Sequence, residues 1–286
     1  MDASGPRGRF RLIRRRLGLL GFGLTATVVV AAVGAPFLSP YDPLAQDIVA
    51  RLRTPQLFGP PSHPLGTDHL GRDVLSRILH GSSISLAIAA SAVALGGTAG
   101  VAAGLVAGYF RGSAENLIMR LVEIQLAFPL ILLVLAMVAV LGASASNIVL
   151  IFALATWPLY ATVIRGQVIA LMEREFIGAA RALGGKDAYV ILRHVMPNVV
   201  SPLTVVASFE FARLILTEAA IGFLGLGIRP PTPTWGNMLA DGRAYIHDAW
   251  WLTTFPGLAI ALTATGINLI GDTLRDMFDP RLLNIR

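Results

Sequence analysis

The sequence predicts an all-α, polytopic membrane protein with six transmembrane helices, and three observations lead to this fold class. Hydrophobic residues make up 55% of the 286 residues and charged residues only 14%, whereas soluble domains carry about 25% charged residues. Apolar runs of roughly 17–25 residues, the length that a helix needs to cross the hydrocarbon, recur along the chain. These runs must be helices because lipid offers the backbone no hydrogen-bond partners, and they lack the alternation of β-barrel strands.

The six predicted spans divide the chain into two regions. The spans are residues 17–38, 84–109, 126–142, 147–164, 199–226 and 249–271. Residues 1–83 hold a cytoplasmic tail, the first helix and an extracytoplasmic segment, and residues 84–286 form a core with the other five helices. The core includes a long cytoplasmic loop, residues 165–198, between the fourth and fifth spans.

The distribution of basic residues predicts that both termini lie in the cytoplasm. Six arginines precede the first span, namely Arg7, Arg9, Arg11, Arg14, Arg15 and Arg16. With six crossings, the cytoplasmic segments hold 16 of the 23 basic residues and the external segments hold six. Membrane proteins concentrate Lys and Arg on the cytoplasmic side. The net charge of +6 therefore has a topological origin and does not indicate nucleic-acid binding.

A cleaved signal peptide is the alternative interpretation of residues 1–38. Val33, Gly34 and Ala35 would supply a small-residue cleavage site. The apolar run is longer than the roughly 7–15 residues that a cleavable signal usually contains. This length favours a retained membrane helix.

The second span carries four glycines spaced by four residues, which places them along one helix face. They are Gly96, Gly100, Gly104 and Gly108. Small residues in this register let a neighbouring helix backbone come close. We therefore expect a helix contact here, either within the chain or with a partner subunit.

The fifth span contains three ionisable residues, Glu210, Arg213 and Glu218. Glu210 and Arg213 are three residues apart, so they can pair on one helix face, whereas Glu218 lies about 140° around the helix from Arg213. Ionisable groups at this depth are costly and are usually functional. The cluster predicts either a polar lining of a transport pathway or a buried structural pair.

The long cytoplasmic loop is predicted to contain two short amphipathic helices. The first covers residues 173–183 and ends at the glycine pair 184–185, since many helices end at glycine. Asp187 is a candidate cap for the second helix, residues 188–196, which Pro197 follows. Such a pair can dock into a groove on another protein or lie on lipid headgroups, and the residue pattern leaves both open.

No catalytic or metal-binding constellation is predicted. The chain has no cysteine, and the Gly-Gly-Lys-Asp stretch at residues 184–187 lacks the spacing and the Ser or Thr of a phosphate-binding ATPase loop. His63, Asp68 and His69 are better explained by a structural role than by a metal. Thr67 or Asp68 is expected to cap a short helix near the outer surface.

The stretch after the fifth span is predicted to form a rigid outer turn. Its prolines are Pro230, Pro231 and Pro233, and proline cannot continue a regular helix. Trp235, Trp250 and Trp251 are expected at the outer membrane interface, where tryptophan is enriched.

The cytoplasmic loop resembles a motif shared by the permease subunits of ABC importers. GAARALGGKDAYVILRHVMPN, residues 178–198, matches the motif at Ala179, Ala180, Gly184 and Pro197. It departs from the motif in two places, with Gly178 where the signature has Glu and Met196 in place of Leu. In that family this loop is the coupling helix that fits a cleft on the ATPase subunit. The resemblance thus implies coupling contacts by Gly178, Ala179, Ala180, Arg181, Gly184, Lys186, Asp187 and Pro197.

Further stretches resemble the dipeptide and oligopeptide subfamily, in particular its second permease, the DppC/OppC type. They are HPLGTDHLGRDVLSRILHGSSISL at residues 63–86 and FLGLGIRPPTPTWGNML at residues 223–239. MRLVEIQLAFP in the middle of the chain and NLIGDTLRDMFDPRL near its end extend the similarity over nearly the whole sequence. Ser83 is a departure, since many relatives have Arg there. The resemblance implies the type I, MetI-like fold of ABC importer permeases.

The resemblance also implies a function and a set of partners. The chain is expected to be a non-catalytic permease subunit that imports di- or oligopeptides across the cytoplasmic membrane by alternating access. Expected partners are a homologous second permease of the DppB/OppB type, two ATPase subunits or one fused pair, and an extracytoplasmic peptide-binding protein. No cofactor is expected on this chain, because ATP and Mg bind the ATPase subunits.

Two alternatives remain at the level of the sequence. The same architecture can import another cargo, such as nickel or glutathione. A protein of a different class, an ATP-independent secondary transporter, would be expected to show broken-helix repeats, and no persuasive internal repeat is visible.

Overall fold

The computed structural model describes residues 6–56, 59 and 63–278, and this part of the chain is helical without β-strands. The all-α fold class predicted from the sequence is therefore confirmed. Arg281 and Arg286, which entered the charge count, and the end of the motif at residues 268–282 lie outside the described residues.

Five long helices dominate the structure. They are α1 (Pro6–Val33), α3 (Val74–Phe110), α6 (Ala145–Met172), α9 (Met196–Phe223) and α11 (Trp251–Phe278). Shorter helices connect them, namely α2 (Ala35–Leu38), α4 (Gly112–Leu126), α5 (Leu130–Leu141), α7 (Glu175–Ala182), α8 (Asp187–Val190) and α10 (Trp235–Arg243). A 3₁₀ turn covers Ile48–Ala50 and a π-helical turn covers Ile191–Val195.

Among the described residues, five helices are long and apolar enough to cross a membrane, and a bent pair can supply a sixth crossing. The bent pair is α4 and α5, which meet at an angle of 87°. The predicted third span, residues 126–142, is therefore wrong as one straight helix. α5 has 12 residues, which rise about 18 Å at 1.5 Å per residue, well short of the roughly 30 Å of hydrocarbon.

Pro129 explains the break between α4 and α5. Proline has no backbone N–H, and its ring disfavours helical geometry in the residue before it, Phe128. α4 ends at Leu126, and the N–H of Ala127 closes its last turn on the carbonyl of Glu123 at 3.0 Å. The apolar run continued through this point in the sequence, so hydropathy alone did not reveal the break.

Two more span boundaries differ from the prediction. The first helix ends at Val33 instead of continuing to residue 38, because Pro36 lies at the start of the separate helix α2. α3 begins at Val74, ten residues before the predicted start. The Asp73 carboxylate accepts the backbone N–H of Ser76 at 2.7 Å, and such a cap satisfies an otherwise unpaired donor at a helix start.

The predicted C-terminal end of the second loop helix is also wrong. Residues Asp187–Phe223 form one apolar helical stretch, so Pro197 does not terminate a helix. The π-helical turn, which ends at Val195 two residues before Pro197, widens the backbone spiral and accommodates a residue that breaks the regular hydrogen-bond ladder. At the other end of the loop, α6 continues to Met172 instead of stopping at residue 164.

The described residues fall into two compact units. The first lies within Met1–Ala90, Leu135–Val149 and Phe211–Ile270, and the second within Ser91–Val134, Leu150–Glu210 and Gly271–Arg286. A buried cluster in the first unit joins the start of α3 to α10 and the start of α11 and contains Val74, Met238, Ala249, Trp251 and Leu252. The second unit is organised around the packing of α3 on α6.

Two of the three tryptophans predicted at the membrane interface are interior residues. Trp235 and Trp251 are 1% and 3% exposed. Their indole N–H groups donate to the carbonyl oxygens of Ile78 and Thr67, both at 3.1 Å, as buried tryptophans usually require. Only Trp250 of this set is on the surface of the chain.

Asp68 caps a turn and not the short helix that we expected. Its carboxylate accepts the N–H groups of Leu70 and Arg72 at 2.8 and 2.9 Å. The same carboxylate pairs with the Arg72 guanidinium at 2.6 Å, and Arg72 and Arg77 also reach Asp241 of α10 at 3.3 and 3.6 Å. These pairs fix the loop before α3 against α10.

Candidate functional site

The segment between α6 and α9 contains the residues that the resemblance assigned to ATPase coupling. We define the coupling segment as residues 173–195, which comprise α7, α8 and the π-helical turn. It is shorter than the predicted loop of residues 165–198, because both flanking helices extend into that range. Pro197 belongs to the start of α9 and so lies outside the segment.

One face of the coupling segment is anchored in the second unit. Ile177 of α7 is 1% exposed, and Val190 and Val195 are fully buried. They pack in one apolar cluster with residues of α3, α6 and α9, namely Val101, Tyr109, Ile164, Val168 and Val199. A displacement of α7 would therefore disturb the packing of three long helices.

A polar contact adds to this anchor. The Tyr109 hydroxyl at the end of α3 donates to Asp187 Oδ1 at 2.6 Å. The Arg181 guanidinium of α7 lies over the Tyr109 ring, 5.1 Å from its centroid, a distance at which cation and ring attract each other. The predicted capping role of Asp187 is wrong, because α8 begins without a side-chain cap and the carboxylate turns to Tyr109 instead.

The opposite face of the coupling segment exposes large apolar side chains. The exposed fractions are 44% for Phe176, 89% for Leu183, 54% for Tyr189 and 69% for Leu192. Gly178 and Ala179 lie on exposed turns of α7, and Lys186 is also exposed. A Cβ at Gly178 would meet no atom within 4 Å, so this part of the surface is open to another molecule.

The glycine pair ends α7, as the sequence predicted. Gly184 has φ of +84°, which an L side chain rarely adopts. The N–H of Gly185 reaches back to the carbonyl of Ala180 at 3.0 Å and closes the helix end. This tight turn places Leu183 at the tip of the segment.

The four spaced glycines of α3 face α6. A Cβ at Gly104 would lie 2.7 Å from the carbonyl oxygen of Ala161, and a Cβ at Gly108 would lie 2.7 Å from Val168 Cβ. Gly96 and Gly100 meet α6 in the same way, against Thr156 and Trp157. The two helices thus approach backbone to backbone within the chain.

The ionisable residues of α9 occupy different environments. Glu210 and Glu218 are buried, at 3% and 2% exposure, and Arg213 is half-buried. Glu218 does not extend a Glu–Arg cluster, because its Oε2 accepts the Ser85 hydroxyl of α3 at 3.0 Å. This hydrogen bond therefore links α9 to α3 within the first unit.

Sequence reasoning missed several side chains that position these elements. Tyr109 carries no motif, and its partner Asp187 is 78 residues away. Arg165 was expected in a loop, but it lies in α6 and its Nε donates to Glu115 Oε1 of α4 at 2.6 Å. Ser83, where relatives were expected to have Arg, donates its hydroxyl to the carbonyl of Ala32 in α1. In the sequence, only the presence of polar residues within apolar runs indicated such contacts.

Comparisons with known proteins agree with this architecture. Residues 100–284 match the family described as binding-protein-dependent transport system inner membrane component. Residues 7–61 match the N-terminal transmembrane domain of oligopeptide transport permease C. A chain of the MetNI methionine ABC transporter, solved in inward-facing conformations, has the same fold, with a TM-score of 0.54 at 19% identity over 71% of this chain and 96% of that chain.

Curated relatives cover most of the chain. The di/tripeptide transport system permease DppC of Pseudomonas aeruginosa strain UCBPP-PA14 is 44% identical over 259 residues, which are 90% of this chain and 86% of the relative. The probable D,D-dipeptide transport system permease DdpC of Escherichia coli K12 is 39% identical over 92% of this chain and 89% of its own. The glutathione transport system permease GsiD of Pectobacterium atrosepticum is also 39% identical, over 95% and 89%.

Three findings lead to one assignment. They are the backbone-to-backbone packing of α3 on α6, the helical segment between α6 and α9, and the extent of these matches. The chain is a polytopic membrane permease subunit that belongs to the family of binding-protein-dependent transport system inner membrane components, in its DppC/OppC branch.

Proposed function

We propose that this chain is one of two permease subunits of an ATP-driven importer that carries di- and oligopeptides across the cytoplasmic membrane. Two ATPase subunits or one fused pair, a second permease of the DppB/OppB type and an extracytoplasmic peptide-binding protein complete the complex. The peptide cargo is supported by the DppC and DdpC relatives. The GsiD relative supports glutathione as a second candidate cargo.

The observation that carries the proposal is the two-sided coupling segment. Its buried face joins the apolar cluster around Ile177, and its other face exposes Leu183 and Leu192. An exposed apolar patch of this kind marks an interaction surface. The ATPase subunit is the proposed occupant, and the resemblance of residues 178–198 to the coupling motif supports this choice.

The mechanism follows from these contacts. ATP binding brings the ATPase subunits together, and each moves the coupling helix docked on it. The motion of α7 passes through Ile177 and the Tyr109–Asp187 contact into α3 and α6. Access to the pathway then changes from one side of the membrane to the other. Moving such an equilibrium from 1:99 to 99:1 takes about 5.5 kcal/mol of differential binding, which calls for a firmly anchored coupling segment.

Transport by the reconstituted complex tests the proposal. Labelled dipeptides, tripeptides, longer peptides, glutathione and nickel are offered to proteoliposomes that contain the four kinds of subunit. ATP-dependent uptake of short peptides is expected, and uptake of glutathione without peptides would favour the second cargo. Uptake by this chain alone, without ATPase subunits, would contradict the proposal and indicate a secondary transporter.

The proposed orientation predicts which side of the membrane each exposed residue faces. The chain contains no cysteine, so a single introduced cysteine is the one thiol of the chain that a maleimide can label. Leu183→Cys in the coupling segment and Val49→Cys in the 3₁₀ turn replace residues that are 89% and 86% exposed. In vesicles that lack the ATPase subunits, which would otherwise cover Leu183, a membrane-impermeant maleimide is expected to label Leu183→Cys in inverted vesicles only and Val49→Cys in right-side-out vesicles only. The reverse pattern would overturn the orientation.

The contact between Tyr109 and Asp187 is expected to matter for coupling. Tyr109→Phe removes one hydroxyl that donates at 2.6 Å, and a hydrogen bond to a charged group contributes about 1.5–3 kcal/mol when buried, less for the exposed Asp187. We expect the stimulation of ATPase activity by loaded binding protein to fall severalfold in Tyr109→Phe and in Asp187→Ala. The double variant is expected to be no worse than either single variant, since both remove the same bond. Additive losses would show that the two residues act separately.

A further inference from the structure

A cavity of about 500 Å³ opens at the end of the first unit where α5 passes into α6 and α9 ends. Its size falls within the roughly 300–1,000 Å³ of small-molecule sites. It is lined by Leu141, Gly142, Ala143, Ser144, Asn147, Ile228 and Arg229. α6 and α9 each connect this end to the coupling segment by one crossing, so in the proposed orientation the cavity faces the outside.

Internal hydrogen bonds hold the walls of the cavity. The Asn147 amide donates to the carbonyl oxygens of Leu141 and Gly142, and its own backbone N–H donates to Ser144 Oγ at 3.2 Å. On the other wall, Ile228 is 7% exposed, and the Asn237 side-chain amide donates to its carbonyl oxygen. The chain segment that carries Arg229 is therefore fixed while the Arg229 side chain is exposed.

Arg229 is the charged residue of the lining, and no carboxylate accompanies it. Within the described part of the chain its guanidinium has no ion pair and no hydrogen bond. Other arginines of this unit are engaged: Arg72 and Arg77 pair with Asp68 and Asp241, and Arg243 lies over the Phe223 ring. The cavity thus combines apolar walls with one uncompensated positive charge.

We propose that this cavity receives the C-terminal carboxylate of a peptide as it leaves the binding protein, with Arg229 as the recognising group. This inference rests on the proposed peptide cargo. Peptides of different sequence share only their backbone and their two charged ends, so a subsite that accepts many peptides must recognise one of those features. A guanidinium binds a carboxylate through two parallel hydrogen bonds. The apolar walls from Leu141 and Ile228 suit a variable terminal side chain, and a single charge contact allows the peptide to move on.

Uptake of trialanine and of trialanine amide by the reconstituted complex tests the site. The two peptides differ only in the terminal charge, and the binding protein is the same in every sample. Any preference of the binding protein for one of the two peptides therefore cancels when the KM values of a variant are compared with those of the wild-type complex. Arg229→Gln removes the guanidinium, Arg229→Lys keeps a charge without the bidentate geometry, and Arg243→Gln is a matched control that removes an arginine outside the cavity.

Arg229→Gln is expected to raise the KM for trialanine about tenfold, as the loss of a charged hydrogen-bonded contact does. Its KM for trialanine amide is expected to stay within about twofold of wild type because the contact is absent there. Arg229→Lys should give an intermediate value, and Arg243→Gln should leave the ratio between the two peptides unchanged. An equal rise in KM for both peptides would assign Arg229 to a contact between subunits and overturn the proposed site. An unchanged KM would overturn it as well. Failure of the wild-type complex to import either peptide with ATP would instead contradict the proposed function.

Discussion

Leu183→Asp is expected to reduce the affinity of the permease for its ATPase subunits at least tenfold and to abolish uptake. Leu183 is 89% exposed at the tip of the coupling segment. Burying a leucine side chain contributes about 1.5–3 kcal/mol, and each 1.4 kcal/mol changes a dissociation constant about tenfold. An aspartate at that position loses this contribution and also leaves a charge in an apolar contact. Because the side chain is exposed in the isolated chain, folding should be unaffected.

Two measurements check this result. The first is retention of the ATPase subunits when the permease is purified through an affinity tag, and the second is stimulation of ATPase activity by loaded binding protein in proteoliposomes. Val49→Asp is the matched control, since Val49 is 86% exposed but lies in the 3₁₀ turn outside the coupling segment. It should retain the ATPase subunits fully. Normal retention and uptake in Leu183→Asp would contradict the assignment of this surface.

The double substitution Gly100→Ala and Gly104→Ala is expected to destabilise the membrane core strongly. Each added Cβ would collide with the α6 backbone, at the carbonyl oxygens of Trp157 and Ala161. Overpacking of this kind typically costs about 1–3 kcal/mol per site, so two sites cost about 2–6 kcal/mol, a large fraction of the roughly 5–15 kcal/mol net stability of a typical protein. The expected observations are a lower yield of monodisperse protein in detergent and a thermal transition many degrees below that of wild type.

Gly166→Ala provides the control for this experiment. Gly166 lies in α6, one of the two helices of the contact, but a Cβ there meets no atom within 4 Å. The same chemical change should therefore leave the yield and the thermal transition near the wild-type values. If the double variant were as stable as this control, the close approach of α3 and α6 would not be a requirement of the fold.

The permease family came from the resemblance of the motifs, whereas the composition and the apolar runs determined the helical class and the regions of most membrane helices. They could do so because spanning a bilayer needs long runs of apolar residues with internally paired backbones, and that requirement is local along the chain. The spacing of Gly96, Gly100, Gly104 and Gly108 likewise marked a helix contact, since it depends only on the helical repeat. The glycine pair after α7 was predictable for the same reason, because a helix end is a local event.

Tertiary structure alone decided the rest, and the physical reason is that those features depend on contacts between distant residues. Tyr109 meets Asp187, Ser85 meets Glu218, and the indoles of Trp235 and Trp251 turn inward to backbone carbonyls far along the chain. None of these pairings leaves a periodic signal in the sequence, and the contact with Tyr109 overrode the local capping role expected of Asp187. The cavity around Arg229 belongs to the same class, since two loops separated by about eighty residues of sequence enclose it only when α6 and α9 fold beside each other.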